Sequence, residues 1–499
     1  MKRVQPQIAE THTGLVILLG ELAYKVKKPV TTDFLDFSTP ESREEACAHE
    51  VALNSRLAPA SYLGVGHFQS PLGGPPEPVI VMRRHPDERR LATMVRRGDD
   101  VTAELTAIAD ILARFHTGAD RGPNVDNEAR AEAVRTRWQE NLTELTRYAG
   151  ARGDALVPGL DPHVVAEIDR LADQFVQFRV ALFDRRIAEH RIVDGHADLL
   201  ADDIFCLSEG PALLDCLEFD DRLRYVDAID DAAFLAMDLE YLGRGDLAQF
   251  FLDRYRRLAH DDAPESLQHF YIAYRAGVRA KVDCVRYTQG HHESADDARR
   301  HLQIALDHLR AASVRLILVG GGAGTGKTTL ARAVAEHLDA QVISTDDVRA
   351  EMVADGRIAG EPGVLGEGLY SRENIAAVYR AVLAKAQLGL SQGRTVILDG
   401  TWSDPDYRQQ AHRVAADAAA AVVEFACAAP LEATVARIRT RANSASQVTA
   451  SIATALARSD DQGIWSGAHR IDTTRELATS VAEVMDILRQ PVERRRGEH

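Results

Sequence analysis

The chain has 499 residues, 45% hydrophobic and 27% charged, a size and balance that suit two or three folded cores and exclude an intrinsically disordered chain. Its formal charge of −16, from 59 Lys and Arg against 75 Asp and Glu, excludes a broad nonspecific coat on nucleic acid and leaves room only for a local basic cleft. Five scattered cysteines with no Cys-x-x-Cys pair exclude a disulfide framework and a zinc site; with no signal peptide and no membrane-length apolar run, the expectation is a cytoplasmic protein.

In chain order, Leu15–Leu19, the pair Gly20-Glu21 and Leu22–Val26 read as a β-hairpin. Helical spacing follows from about Ser42 to Leu57, then a Pro/Gly-rich loop over Ser70–Pro76 and a strand over Val79–Met82. Long helical patterns run from Ala103, break near Pro158 to Pro162, and give way to a short β-rich stretch between Arg191 and Phe219. Helices return to about Arg310. At Val314–Val319 the texture changes to a fully apolar strand followed by alternating helices and strands, the pattern of a parallel α/β sheet. The domain boundary is therefore expected at 310/311, with domains over 1–310 and 311–490 and a disordered tail over 491–499.

The β-rich stretch of the first domain holds Arg191-Ile192-Val193-Asp194-Gly195-His196-Ala197-Asp198-Leu199, a His-x-Asp loop ahead of the strand Ile204–Leu207. Such a loop is where a kinase places the carboxylate that accepts the substrate proton. Asp202-Asp203 follow and can supply a metal ligand, and a strand over Leu213–Leu217 is expected to deliver Glu218-Phe219-Asp220, where a kinase-like fold places its second Mg²⁺ carboxylate. Lys25 on the hairpin and Glu50 on the next helix suit the ion pair that holds ATP phosphates; Lys27 faces the same side and can replace Lys25.

Over about residues 10–300 the chain resembles the aminoglycoside-phosphotransferase/choline-kinase branch of the kinase-like fold. The family loop reads His-Gly-Asp-x-x-x-x-Asn, so the resemblance implies Asp198 as base. Ala197 stands for the family's Gly, Asp203 for its Asn, and Glu218 for its metal Asp, so oxygen ligands for Mg²⁺ are kept with one added negative charge at Asp203. Arg275 and Arg279 lie one helical turn apart; if their face lines the cleft, the acceptor is anionic, and otherwise it is a solvated face that Asp238 and Glu240 neutralise.

In the second domain the segment Leu316–Leu330 is strand, glycine-rich loop, helix. The loop Gly321-Gly322-Ala323-Gly324-Thr325-Gly326-Lys327-Thr328-Thr329 fits the Walker A pattern. Its backbone N–H groups would cradle the phosphates, Lys327 would bridge the β/γ-oxygens, and the Thr328 hydroxyl would ligate Mg²⁺. The strand Gln341–Ser344 ends in Thr345-Asp346-Asp347-Val348-Arg349, where one Asp can act as base, Arg349 can hold an anionic substrate group, and either Asp can cap the helix. A third strand, Thr395–Leu398, ends in Asp399-Gly400-Thr401, with Asp399 a Mg²⁺-orienting carboxylate or a turn residue. Phe425–Ala428 leads into a helix whose Arg437, Arg439 and Arg441 suit a lid over the phosphates.

From Val314 to Leu488 these pieces resemble the small P-loop kinases grouped with polynucleotide 5′-kinase, gluconate kinase, chloramphenicol phosphotransferase and the zeta toxins, an AAA-type ATP-binding group. The resemblance implies Asp346 as the hydroxyl-activating base and Arg349 as a substrate ligand. The expected fold is thus a protein-kinase-like bilobal domain fused to a P-loop parallel-sheet α/β domain. The expected function is ATP- and Mg²⁺-dependent transfer of phosphate to the hydroxyl of a small molecule, a sugar or sugar derivative. The alternatives are a nucleotide-sensing regulator with a degenerate kinase-like domain, and a nucleic-acid 5′-kinase, against which the acidic balance speaks.

Overall fold

A computed structural model describes residues 6–10, 14–30, 37–69, 73–150, 155–361, 366–440 and 467–489. Ser70–Leu72 of the expected loop, Arg441 and the expected tail over 491–499 lie outside the described residues. The chain divides into two compact units, one comprising Met1–Asp173, Phe183–Ala263 and Gln268–Arg310, the other Gln174–Leu182, Pro264–Leu267 and Ala311–His499.

The first unit has an antiparallel sheet followed by a mostly helical part. Its sheet joins β1 (Gln7–Glu10), β2 (Gly14–Leu19), β3 (Leu22–Lys27), β4 (Tyr62–Phe68) and β5 (Glu77–Arg83) in the antiparallel order β1-β2-β3-β5-β4. Leu19 pairs with Leu22 across Gly20-Glu21, so the expected hairpin forms with a two-residue turn. Helix α1 (Pro40–Asn54) starts at Thr39, whose hydroxyl accepts the Ser42 N–H at 3.1 Å, and Pro40 suits the first turn because its missing N–H is not needed there. Its Cys47 packs with Tyr62, Ile80, Phe205, Ala212 and Leu214.

The helical lobe contains α2 (Leu91–Arg97), α3 (Thr102–Gly118), α4 (Pro123–Asn127), α5 (Ala131–Ala149), α6 (Pro162–Phe178) and α7 (Val180–Ala188). Short strands β6 (Ile192–Asp194), β7 (Ile204–Leu207), β8 (Gly210–Leu213) and β9 (Tyr225–Asp227) follow, paired β6-β9 and β7-β8. Then come α8 (Ala228–Tyr241), α9 (Gly245–Leu258), α10 (Glu265–Thr288) and α11 (Ser294–Ala311). Strand β8 ends three residues after it begins, not at Leu217 as expected, because Asp215 adopts φ 64°, a left-handed conformation that no strand accommodates.

The second unit is a five-stranded parallel sheet of β10 (Arg315–Gly320), β11 (Gln341–Ser344), β12 (Val396–Asp399), β13 (Ala421–Ala428) and β14 (His469–Asp472), ordered β11-β12-β10-β13-β14. Its helices are α12 (Lys327–Leu338), α13 (Thr345–Ala354), α14 (Arg372–Ser391), α15 (Pro405–Asp417), α16 (Leu431–Thr440) and α17 (Leu477–Arg489). Leu316 and Leu318 of β10 enter one hydrophobic core with Val396 and Leu398, while Ile317 and Val319 enter the other with Val423 and Phe425. Burial on both faces explains why these strands read as unbroken apolar runs.

All five cysteines are buried and unpaired. Among the described residues no helix is long and apolar enough to cross a membrane.

Candidate functional sites

In the second unit the turn between β10 and α12 forms a loop around the helix N-terminus. Gly321 sits at φ 136°, and a Cβ there would meet the Cys427 carbonyl at 2.6 Å, so only glycine lets the backbone pass. The Lys327 ammonium lies across the loop, donating to the Gly322 carbonyl at 2.8 Å. The loop is braced from outside. Thr473 Oγ1 donates to the Thr325 carbonyl at 2.6 Å, and Arg437 donates to the carbonyls of Gly324 at 3.4 Å and Thr473 at 2.6 Å. Arg437 thus touches the loop itself. Thr329 is exposed on α12 and Ala323 is half-buried.

Thr328 Oγ1 donates to Asp399 Oδ2 at 2.6 Å, joining the first turn of α12 to the end of β12. Asp399 is 3% exposed, and burial pushes its carboxyl up against the opposing charge of Lys327 and the Thr328 hydrogen bond. A buried carboxylate beside a hydroxyl and an ammonium fits a site for a divalent cation with phosphates, which keeps much of its water and needs few protein ligands.

At the end of β11 the helix cap is Ser344, whose hydroxyl accepts the Asp346 N–H at 3.3 Å; neither Asp caps α13. That frees the Asp346 carboxylate, which instead pairs with Arg349 Nη1 at 2.5 Å. The Arg349 guanidinium also lies 4.6 Å from the Tyr370 ring centre. The structure therefore brings the expected base and the expected substrate arginine together as one ion pair.

In the first unit the loop after β6 is pinned from several directions. Asp231 of α8 accepts the His196 and Ala197 N–H groups, each at 2.7 Å. Arg56 donates to the Gly195 carbonyl at 3.1 Å, and Arg275 donates to the Ala197 carbonyl at 3.1 Å. His196 is fully buried, with Nε2 3.1 Å from the Leu214 carbonyl and Nδ1 3.3 Å from the Asp198 N–H. A carbonyl only accepts and an amide N–H only donates, so the ring is neutral with its proton on Nε2. Burial lowers its pKa in agreement. Ala197 sits at φ 66°, left-handed, in the place where the resemblance expects Gly.

Asp198 is half-buried, and burial raises its pKa to about 6, opposed chiefly by Arg279. Asp203 is reached through the β7–β8 hairpin. The Leu214 N–H donates to the Asp203 carbonyl at 3.0 Å, so Asp203 and Asp215 flank one end of the hairpin. Burial, then Asp215 and Asp198, push the Asp203 carboxyl well above the usual range. Among the described residues no three His, Cys, Asp or Glu side chains group so as to hold a metal by themselves.

Lys25 Nζ lies 2.7 Å from Glu50 Oε1 and 2.6 Å from Asp215 Oδ1, and Lys27 Nζ lies 2.5 Å from both Glu50 Oε2 and Glu218 Oε1. One buried Glu50 therefore bridges both lysines. Burial would lower the Lys25 pKa, but Asp215 and Glu50 outweigh it and raise it well above normal. The Lys25 side chain keeps 15% exposure and that of Lys27 only 1%, so Lys25 is the lysine still open to a ligand. Glu218, expected at the metal, is held by Lys27, while Asp215 stands beside Asp203. Sequence reading passed over Asp215 because it was placed inside a strand; the one local signal is an Asp followed two residues later by Leu217 and Glu218 at a strand end. The Arg275 side chain is spent structurally, with Nε 2.7 Å from Asp230 Oδ1, so it does not line the cleft as one expectation had it.

Residues 316–460 match the model of the AAA domain family. An uncharacterised protein of Mycobacterium tuberculosis (strain ATCC 25618 / H37Rv) is 55% identical over 485 residues, covering 97% of this chain and 96% of the relative. A second, from Mycobacterium bovis (strain ATCC BAA-935 / AF2122/97), matches to the same extent. Among solved structures, a choline/ethanolamine kinase family protein from Mesorhizobium loti aligns at 12% identity and TM-score 0.38, over 62% of this chain and 88% of that one. The APS kinase CysC of Mycobacterium tuberculosis, in complex with AMPPNP and APS, aligns at 22% identity and TM-score 0.27, over 36% of this chain and 99% of that one. The family match lies within the second unit.

Proposed function

The chain belongs to the family of the two mycobacterial relatives, and on that premise we propose that it is an ATP-dependent phosphotransferase acting on a hydroxyl of a small molecule, a sugar or sugar derivative. The observation that carries the reading is the Thr328–Asp399 hydrogen bond of 2.6 Å beneath a loop crossed by Lys327. A ligand-binding turn with a hydroxyl, a buried carboxylate and an ammonium at its base is built for nucleotide phosphates.

In the P-loop unit the N–H groups of Gly321 to Thr329 and the Lys327 ammonium would bind the phosphates, and Thr328 and Asp399 would hold Mg²⁺. When bound, that ion offsets charge on the β- and γ-oxygens. Asp346 accepts the acceptor's hydroxyl proton, and its contact with Arg349 holds the carboxylate in place.

In the kinase-like unit Asp198 takes the same part. Asp203 and Asp215 would hold Mg²⁺, and Lys25, oriented by Glu50, would meet the phosphates. Neutral His196 fixes the loop without competing for the proton, since its acceptor nitrogen Nδ1 already takes the Asp198 N–H.

The test is ADP release with Mg·ATP across sugars, sugar acids, aminoglycosides and nucleosides, run on the wild type, Lys327→Ala and Asp198→Asn. Acceptor-dependent release lost in one variant alone assigns the chemistry to that unit. ATP binding with no release for any acceptor overturns the phosphotransferase reading in favour of nucleotide sensing.

A further inference from the structure

Helix α10 runs past the Asp198 loop. Arg275 fixes its register there, donating to the Ala197 carbonyl at 3.1 Å and pairing with Asp230. One turn on, the same face presents Arg279. Arg279 is half-buried, and among the described residues it forms no hydrogen bond and no ion pair. It is nonetheless the largest opposing charge felt by Asp198, and it acts on Asp238 as well. It lies one helical turn beyond the residue bonded to the Ala197 carbonyl, with its guanidinium donors unspent.

The acids that could absorb that charge are committed elsewhere. Asp238 Oδ2 accepts the Ala201 N–H at 2.8 Å, and Glu240 Oε2 lies 2.7 Å from His308 Nε2. Asp202 is exposed, pairs with Arg96, and gives its carbonyl to Arg90. A partly dehydrated guanidinium offers a planar fork of five donors, which matches a phosphate or carboxylate group.

We propose that the kinase-like unit takes an anionic acceptor, a phosphorylated or carboxylate-bearing sugar, whose charged group is held by Arg279 while its hydroxyl faces Asp198. The proposal rests on the reading of this unit as a phosphotransferase site. It sets substrate class through one residue: a neutral sugar leaves the guanidinium unpaired, and a cationic one is repelled by it.

The experiment reads Arg279 directly. The full chain, saturated with Mg·ADP, is modified by phenylglyoxal, and the extent at Arg279 is followed by peptide mass spectrometry. The additions are inorganic phosphate, glucose 6-phosphate, gluconate, glucose or kanamycin. The expected result is that at least one of the three anions slows modification of Arg279 by about tenfold or more, the scale of one charge-assisted hydrogen bond, while glucose and kanamycin do not. Equal modification under all conditions, or protection by kanamycin, overturns the proposal. The same samples are assayed for ADP release with ATP in place of ADP. Protection without transfer retains the anion site and removes the kinase reading. Transfer to glucose or kanamycin without protection by any anion does the reverse. Asp198→Asn should keep the protection, because it alters the base and leaves the guanidinium in place.

Discussion

Asp231 Oδ1 accepts the N–H of Ala197 at 2.7 Å, and Ala197 holds that position at φ 66°. The carboxylate and the left-handed residue define each other: the φ turns the N–H inward, and the hydrogen bond retains the φ. Next to them, a Cβ on Gly195 would meet Asp231 Oδ2 at 2.6 Å. Two substitutions in one loop should therefore act in opposite directions. Ala197→Gly removes the left-handed cost and should stabilise the first unit by about 0.5–1 kcal/mol after the entropic penalty of glycine. Gly195→Ala should destabilise it by about 2 kcal/mol or more. Thermal unfolding of the two variants checks both signs, and a destabilising Ala197→Gly would contradict the account.

Asp231 also lies 3.0 Å from His116 Nε2, and His116 Nδ1 lies 2.7 Å from the Tyr255 hydroxyl. Burial alone would raise the Asp231 pKa, but the His116 hydrogen bond, the nearby histidines and the His196 N–H outweigh it and hold it well below normal. A depressed folded pKa gives stability that is present above the unfolded value of about 3.9 and is lost as pH falls through the folded value. Asp231→Asn should therefore lose stability at pH 6, by about 1.5–3 kcal/mol, and show a shallower acid limb than the wild type. Denaturant titrations at pH 6 and pH 3 measure it; parallel acid limbs would remove Asp231 from the linkage.

The Lys27–Glu218 contact of 2.5 Å sets a contrast between two carboxylates. Asp215→Asn should reduce N-terminal transfer by about a hundredfold or more, since it takes a ligand from the cation. Glu218→Gln should leave transfer within about tenfold, because its partner is a buried lysine and not the metal. Turnover against Mg²⁺ concentration separates them. A larger loss in Glu218→Gln would return the metal role to Glu218.

Lys327→Ala should remove nucleotide binding from the P-loop unit without unfolding it, because the ammonium's sole described partner is the Gly322 carbonyl. Asp399→Asn keeps an acceptor for Thr328 yet deletes the charge, so it should weaken Mg·ATP binding by about tenfold while leaving magnesium-free binding nearly unchanged. Calorimetry with ATP in the presence and absence of Mg²⁺ reads both. Full affinity in Lys327→Ala would contradict the loop's assignment.

The P-loop unit was legible in sequence because its chemistry is contiguous. Gly321 to Thr329 form one contiguous segment, Asp399 ends a strand, and Asp346 lies two residues past the end of another, each strand announced by its apolar run. What sequence concealed was pairing: Asp346 with Arg349, and Ser344 as the cap in place of either Asp. The kinase-like unit was less legible because its site is assembled from distant segments. Asp231 binds a loop 34 and 35 residues away, and no local pattern marks it. Asp215 was hidden because an apolar run, Leu213 to Leu217, reads as a strand until a left-handed backbone interrupts it.

Buried thiols carry a practical consequence. Burial pushes Cys47 and Cys206 up to about 11 and Cys216, Cys284 and Cys427 up to about 12, so none presents a thiolate to reagents at neutral pH. The native chain is thus a silent background for maleimide chemistry. A single cysteine introduced at exposed Arg97 or Thr329 would take a fluorophore alone, with no need to delete the natural five. Any additional labelling that appears with time would then count molecules that have opened, turning the same reagent into a clock for unfolding.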